Sequence, residues 1–292
     1  MANWSGKSRG TLLGIRIYVL IIKKAGLYTA YFVLLFVALY FFLFSFTTSK
    51  SIYYLFRKRL HYGPARALLN VYKNYYTYGK IQLDRIAITS GFKQKFTFEF
   101  DGKAHINNLL KNKKGGILLT AHIGNFNLAK HFFEEEHSKA VVNLVITDFE
   151  HRQIKNYLDS VTGTSQVKVI VLKDDLSHIF EMKEALANNE LLVFAADRYL
   201  EHSKTFKADL LGEKAKFPQG PFKLAARNKI PVLFVHLMKK NNFHYHFYAR
   251  PYNPEKFTAQ ELLKYYLDDL EKMVKKYPHQ WYNYYDYWND FS

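Results

Sequence analysis

Between Lys24 and Lys50 the chain carries no charge at all: AGLYTAYFVLLFVALYFFLFSFTTS, 25 residues from Ala25 to Ser49. As a helix this run would be about 37 Å long at ~1.5 Å per residue, against a bilayer hydrocarbon core of about 30 Å. Two readings are open to it, a buried core helix and a membrane segment, and a run of this length favours the membrane. Lys7, Arg9, Arg16, Lys23 and Lys24 precede it, and Lys50, Arg57, Lys58 and Arg59 follow. Basic residues on both sides leave orientation undecided by charge, and they suit an embedded hairpin or monotopic anchor as well as a span. A cleaved signal peptide is disfavoured, because the run is too long and no small-x-small site follows it.

The anchor also decides how the charge is read. There are 42 Lys+Arg against 25 Asp+Glu, a formal net charge of +17 over 292 residues. Such an excess calls for an anionic partner: nucleic acid, phospholipid headgroups or an acidic protein. With an apolar anchor attached, membrane phospholipids are the expected partner. No helix-turn-helix, zinc-finger or RNP-type motif supports nucleic acid, and none is expected. The absence of cysteine excludes disulfides, thiolate metal sites and a cysteine nucleophile. A hydrophobic share of 49% and an aromatic share of 17% argue against disorder, and the length suffices for a full core.

Along the chain, residues 52–92 read as helical, with Tyr and Lys interleaved as at an interface. FTFEF (Phe96–Phe100) alternates as a strand ending at the Asp101-Gly102 turn, and His105–Asn112 reads as a short helix. Strands and helices then alternate. Ile117–Thr120, Val141–Ile146, Val167–Val171, Leu191–Ala195, Val232–Met238 and Phe243–Tyr248 read as strands. Phe149–Val161, Leu176–Ala187, Pro221–Arg227 and Thr258–Lys276 read as helices, the last opening with Thr258 and Glu261 at capping-box spacing. A loop is expected between Arg198 and Pro221. The pattern predicts an α/β layered domain with a mostly parallel sheet, whose sites lie beyond the carboxyl ends of the strands. No internal repeat or Pro/Gly/Ser linker divides it. The expected organisation is a membrane-associating segment over 1–60 and one α/β domain over 61–292.

Within that domain, GGILLTAHIGNFNLAK (Gly115–Lys130) reads as a buried strand that stops at His122, turns at Gly124 and becomes helical after Asn125. A histidine at a strand end is held rigidly yet stays accessible, and a helix N-terminus beside it offers N–H donors to an anion. A core or loop histidine fits the same spacing. Asp197-Arg198 ends another strand and fits either a site role or a structural ion pair.

These residues carry a resemblance. AHIGNFN is similar to the H-x-G-N-(W/F/L)-E style block of the bacterial lipid A biosynthesis acyltransferase branch of the lysophospholipid acyltransferase superfamily. Ala196-Asp197-Arg198, LLGEKAKFPQGPFKLA (Leu210–Ala225) and PHQWYNYYDYW (Pro278–Trp288) resemble three further blocks of that branch, in order, and the similarity covers nearly the whole chain. The resemblance implies transfer of a fatty acyl chain from acyl carrier protein, or coenzyme A, to a hydroxyl or amine of a lipid or glycolipid. It implies a bacterial inner-membrane location with the catalytic domain on the cytoplasmic side. His122 is then the general base, with Asp197 and Arg198 in the site and Gly124, Asn125, Phe217, Pro218 and Gly220 around the substrates. Backbone N–H groups of the Gly124 turn or the Arg198 cation are the candidate oxyanion donors.

One position departs from the pattern: the family's carboxylate is Asn127 here. Three readings follow. The histidine is oriented by the Asn127 amide; a carboxylate from elsewhere, Asp148 or Asp197, reaches it; or the chain is a catalytically silent, lipid-binding member. No cofactor is expected beyond the acyl thioester. No metal is expected either, since His131 and His137 are six apart and His244 and His246 alternate as in a strand. Asp148, His151 and Arg152 read as a solvated helix start, and the Trp281–Trp288 tail as packing or an interfacial aromatic belt.

Overall fold

The computed structural model describes residues 12–125, 140–147, 167–173, 175–200 and 203–288. Three helices come first: α1 (Leu12–Phe44), α2 (Phe46–Tyr54) and α3 (Pro64–Ala87). Gly26, at φ 84° and ψ 170°, kinks α1 between a basic first half and the uncharged second half. The region expected to be helical over 52–92 is interrupted at 60–63. There His61 takes a left-handed φ of 57°, and Pro64 opens α3, where its missing N–H is no loss.

The α/β part follows in the order β1 (Thr97–Asp101), α4 (Lys103–Lys111), β2 (Gly116–Thr120), β3 (Val142–Thr147), β4 (Val167–Leu172), α5 (Ser177–Ala187) and β5 (Leu191–Ala195). Then come β6 (Thr205–Leu210), β7 (Glu213–Pro218), α6 (Gln219–Asn228), β8 (Val232–Lys239), β9 (His244–Pro251) and α7 (Ala259–Lys276). The expected alternation is present, with one correction. The stretch expected to be a loop after Arg198 holds an antiparallel hairpin, β6–β7, closed by Leu211 and Gly212 at φ 52° and 78°. Two positive-φ residues make the tight turn whose twist matches a hairpin. The helix expected over Phe149–Val161, with Asp148, His151 and Arg152, lies outside the described residues, as do Asn127, His131 and His137.

Seven strands form one sheet in the order β1-β9-β8-β2-β5-β3-β4. Every neighbouring pair is parallel except β8–β9, so β9 and β1 run against the other five. β2 is central and buried at every residue, which is why GILLT reads as a continuous apolar run rather than an alternating one. Its side chains divide between two cores. Ile117 and Leu119 join α6, α7 and the β6–β7 hairpin on one face, and Leu118 joins α1, α4 and the end of α3 on the other. α7 contributes Leu262, Leu263, Tyr266, Leu267, Leu270 and Met273 at helical spacing, all buried. The Thr258 side chain caps it, accepting from the Glu261 N–H at 3.2 Å.

α1 is two-sided. Leu27, Ala30, Tyr31, Leu34 and Ala38 are buried against α3 and the sheet. Tyr28, Phe32, Phe36, Tyr40 and Phe44, four residues apart on the opposite side, are 58–66% exposed. The Tyr76 and Tyr72 hydroxyls of α3 donate to the Tyr31 and Leu35 carbonyls at 3.3 and 3.2 Å. Gly79 lets the helices close: a Cβ there would meet Leu34 Cδ1 at 2.5 Å. Among the described residues one helical stretch, Arg16–Phe44, is long and apolar enough by length and composition to cross a membrane.

Candidate active site

Strand register brings the central pair of residues together. β2 and β5 are parallel with Thr120 opposite Ala195, and the Ala196 N–H continues the ladder to the Thr120 carbonyl at 2.9 Å. Two residues past each strand end stand His122 and Asp197, so the register leaves them face to face. The His122 backbone N–H reaches both carboxylate oxygens of Asp197 at 3.1 Å, and His122 Nδ1 lies 2.8 Å from Asp197 Oδ1. With Nδ1–H donated to the carboxylate, the basic lone pair of the imidazole falls on Nε2. Of the readings left open by Asn127, this arrangement is the one in which Asp197 meets the histidine.

The carboxylate is held from several sides. Asp197 is 1% exposed. Burial by itself would raise its pKa, but His122, Arg198 and the Trp281 indole outweigh it and hold the carboxyl down to about 2. Trp281 Nε1–H donates to Asp197 Oδ2 at 3.2 Å, and the Tyr287 hydroxyl donates to the Asp197 carbonyl at 2.7 Å. The Tyr266 hydroxyl of α7 donates to the Thr120 carbonyl at 2.9 Å, pinning the end of β2 from below.

The tail after α7 closes over this pair. Ile123 and Trp281 form an isolated antiparallel bridge. Tyr282 N–H donates to the His122 carbonyl at 3.0 Å, and Gly124 N–H to the Gln280 carbonyl at 2.8 Å. Arg198 Nη2 donates to the Tyr282 carbonyl at 2.7 Å. Gly124 has φ 62°, and a Cβ there would come within 2.2 Å of the Leu237 carbonyl oxygen, so glycine is required on both counts. Asn125 N–H donates to that same carbonyl at 2.7 Å, and its side chain donates to the Tyr245 hydroxyl at 3.3 Å. The turn therefore uses the N–H groups of His122, Gly124 and Asn125 within the protein.

Behind Asn125 lies a second polar group. Asp84 of α3 accepts from Tyr31 of α1, Lys239 at the end of β8 and Tyr245 of β9, all buried. Burial draws Lys239 down to about 8 despite the carboxylate beside it.

The residues expected around the substrates fall in two groups. His122, Gly124, Asn125, Asp197 and Arg198 gather at the carboxyl edge of the sheet. Phe217 is buried in β7 with its ring 6.2 Å from that of Tyr287, which in turn bonds Asp197. Pro218 precedes α6, and Gly220 lies exposed in the first turn of that helix. Trp281, Tyr282 and Tyr287 fall in the expected aromatic tail and Tyr266 in the expected helix Thr258–Lys276, and the structure adds them to the site. Trp281 is 1% exposed, so it belongs to the packed site rather than to an interfacial belt. The signal for the tail is its aromatic density beside Gln280 and Asn283, which marks a segment with much to bury and hydrogen bonds to place. Among the described residues no three His, Asp or Glu side chains converge as metal ligands.

A histidine backed by a buried carboxylate, at the carboxyl edge of a largely parallel α/β sheet, has the arrangement of a general-base site. The profile described as "Bacterial lipid A biosynthesis acyltransferase" matches residues 71–289, and the chain belongs to this family. The match takes in the whole sheet, the His122 turn and the closing tail. Its members are membrane-associated acyltransferases of lipid A-like substrates. Comparison with curated proteins gave no match.

Proposed function

We propose that the protein moves a fatty acyl chain from the thioester of acyl carrier protein, or of coenzyme A, to a hydroxyl or amine of a lipid A-like glycolipid. His122 Nε2 takes the proton from the acceptor as its oxygen or nitrogen attacks the thioester carbonyl. The new C–O or C–N bond forms and the carbonyl becomes an oxyanion. As the oxyanion collapses the C–S bond breaks, and the imidazolium returns its proton to the leaving thiolate. Asp197 keeps Nδ1–H in place and stabilises the imidazolium between the two transfers. Arg198, beside Asp197, is the cation assigned to the oxyanion in this scheme. The scheme asks for no cofactor and no acyl-enzyme. An acidic carrier protein would be drawn to the +17 chain. In this reading the phospholipid surface is the inner leaflet of a bacterial cytoplasmic membrane.

The observation that carries this reading is the Nδ1–Oδ1 contact of 2.8 Å between His122 and a carboxylate held at a pKa of about 2. In this reading Asp197, two residues past β5, brings the charge that Asn127 lacks. The test is transfer of label from a radiolabelled acyl carrier protein into membrane lipid, comparing purified wild type with His122→Ala. Transfer by wild type alone is expected, and the labelled product then identifies the acceptor. Equal failure of both, across acyl lengths and with coenzyme A thioesters, points instead to a silent lipid-binding member.

A further inference from the structure

The uncharged run is long enough to span a bilayer, yet its packing says otherwise. We infer that α1 does not cross the membrane: it lies along one leaflet as part of the catalytic domain, with the Tyr28–Phe44 stripe immersed among acyl chains. The inner side of α1 is joined to the domain for almost its whole apolar length. Ile22 and Leu27 share a core with Leu83, Ala87 and Ile88 at the end of α3. Further along, Leu34 sits on Gly79, Phe41 lies 6.4 Å from the Tyr75 ring, and Ala38 packs with Ala67 and Val71. α3 thus runs beside α1 throughout, and a span by α1 would take α3 into the hydrocarbon. That helix carries Arg66, Lys73, Lys80, Asp84 and Arg85. Charges at the bilayer centre are among the least favourable groups there. Asn74 of α3 also donates to the His279 and Trp281 carbonyls, so the helix is fixed to the segment that closes the site. The half of α1 before Gly26 offers no substitute, being about 21 Å long at ~1.5 Å per residue and bearing Arg16, Lys23 and Lys24.

What α1 leaves open fits a leaflet. Beyond the stripe, Phe46 is 77% exposed and Leu68 and Leu69 at the start of α3 are 51% and 52% exposed. Lys23 and Lys24 are exposed at one end of the stripe, and Lys50, Lys58 and Arg66 are exposed at the other. An aromatic band with cations at both ends matches the boundary between acyl chains and anionic headgroups. The occupant is therefore the lipid surface itself, and the same helix reaches the edge of the site through Asn74 and through Tyr78, whose ring lies 4.9 Å from that of Tyr282. The inference deepens the proposed function and rests on its lipid acceptor.

The chain has no cysteine, so single cysteines report without background. Full-length Arg16→Cys and Lys50→Cys bracket α1 at exposed positions, and Lys23→Cys with Thr47→Cys gives a second pair should either of the first fail to accumulate. Spheroplasts of the expressing cells are treated with a membrane-impermeant maleimide before and after opening. Both members of a pair reacting from the same side is the expected result; reaction from opposite sides overturns the inference. Phe36→Cys is expected to be shielded until detergent is added, and immediate reaction in intact and opened membranes alike also overturns it. Labelling reads position and not acyl transfer, so failure here and failure of the proposed activity are told apart.

Discussion

At the scale of single residues, Asp197 is the buried charge that meets His122. Asp197→Asn keeps shape and one acceptor oxygen but removes the charge that, in the proposed reaction, stabilises the imidazolium. Turnover is expected to fall on the order of 10³–10⁴-fold, by analogy with the loss of an orienting carboxylate elsewhere. KM should change little, because the substrates do not touch this buried group; steady-state transfer rates over a range of donor and acceptor concentrations check both. The same residue makes a statement about acid. Its folded pKa of about 2 lies below the ~3.9 of an unfolded aspartate. The folded carboxylate therefore stabilises the protein above pH ~4, and that contribution, about 2 kcal/mol, drains away as pH falls towards 2. Denaturant midpoints from pH 6 to pH 2 should show wild type losing more stability than Asp197→Asn. How much of this is legible beforehand is limited by physics. The spacing around His122 marks the histidine, but which carboxylate meets it depends on β2 and β5 pairing in one register across 75 residues. Asp148, His151 and Arg152, weighed beside it, lie outside the described residues.

At the scale of elements, unbroken apolar runs between turn residues are enough to find β2, β5 and β8, since burial on both faces leaves no polar side, and a helical period is enough to find α7. The β6–β7 hairpin escapes it. Its strands do alternate, Phe206, Ala208 and Leu210 against Lys207 and Asp209, but its turn is Leu-Gly rather than Asn-Gly, so an apolar Leu211 takes a positive-φ position and no turn signal separates the two strands. The closing tail escapes it too, since Trp281–Trp288 has no period at all and owes its place to hydrogen bonds with His122, Asp197 and Arg198. The Asp84 group is a third feature that no local pattern signals: it ties α1, α3, β8 and β9 at one buried point. Asp84→Asn or Lys239→Met alone strands a charge without its partner and is expected to cost about 3–5 kcal/mol. The double variant should cost less than the sum by about 1–3 kcal/mol, a coupling that a thermal or chemical unfolding cycle measures.

At the scale of the whole molecule, charge and the aromatic stripe act together. Phe32→Ser with Phe36→Ser removes two exposed rings from the middle of the stripe while leaving the inner side of α1 intact. At about 1.5–3 kcal/mol per buried ring, partitioning onto phosphatidylglycerol-containing vesicles should fall at least about 100-fold in a sedimentation assay, with folding unchanged. Raised salt should weaken the wild type further on anionic than on neutral vesicles. The tail that bridges Ile123 through Trp281 gives the molecule an order in time as well as in space. Synthesis runs from amino to carboxyl, so α1 and α3 leave the ribosome long before Gln280, Trp281 and Tyr287. A growing chain can settle on lipid with histidine and aspartate already made, while the indole, phenol and backbone partners that steady the pair are still to come. The partners that steady the pair are thus the last part of the site to be made.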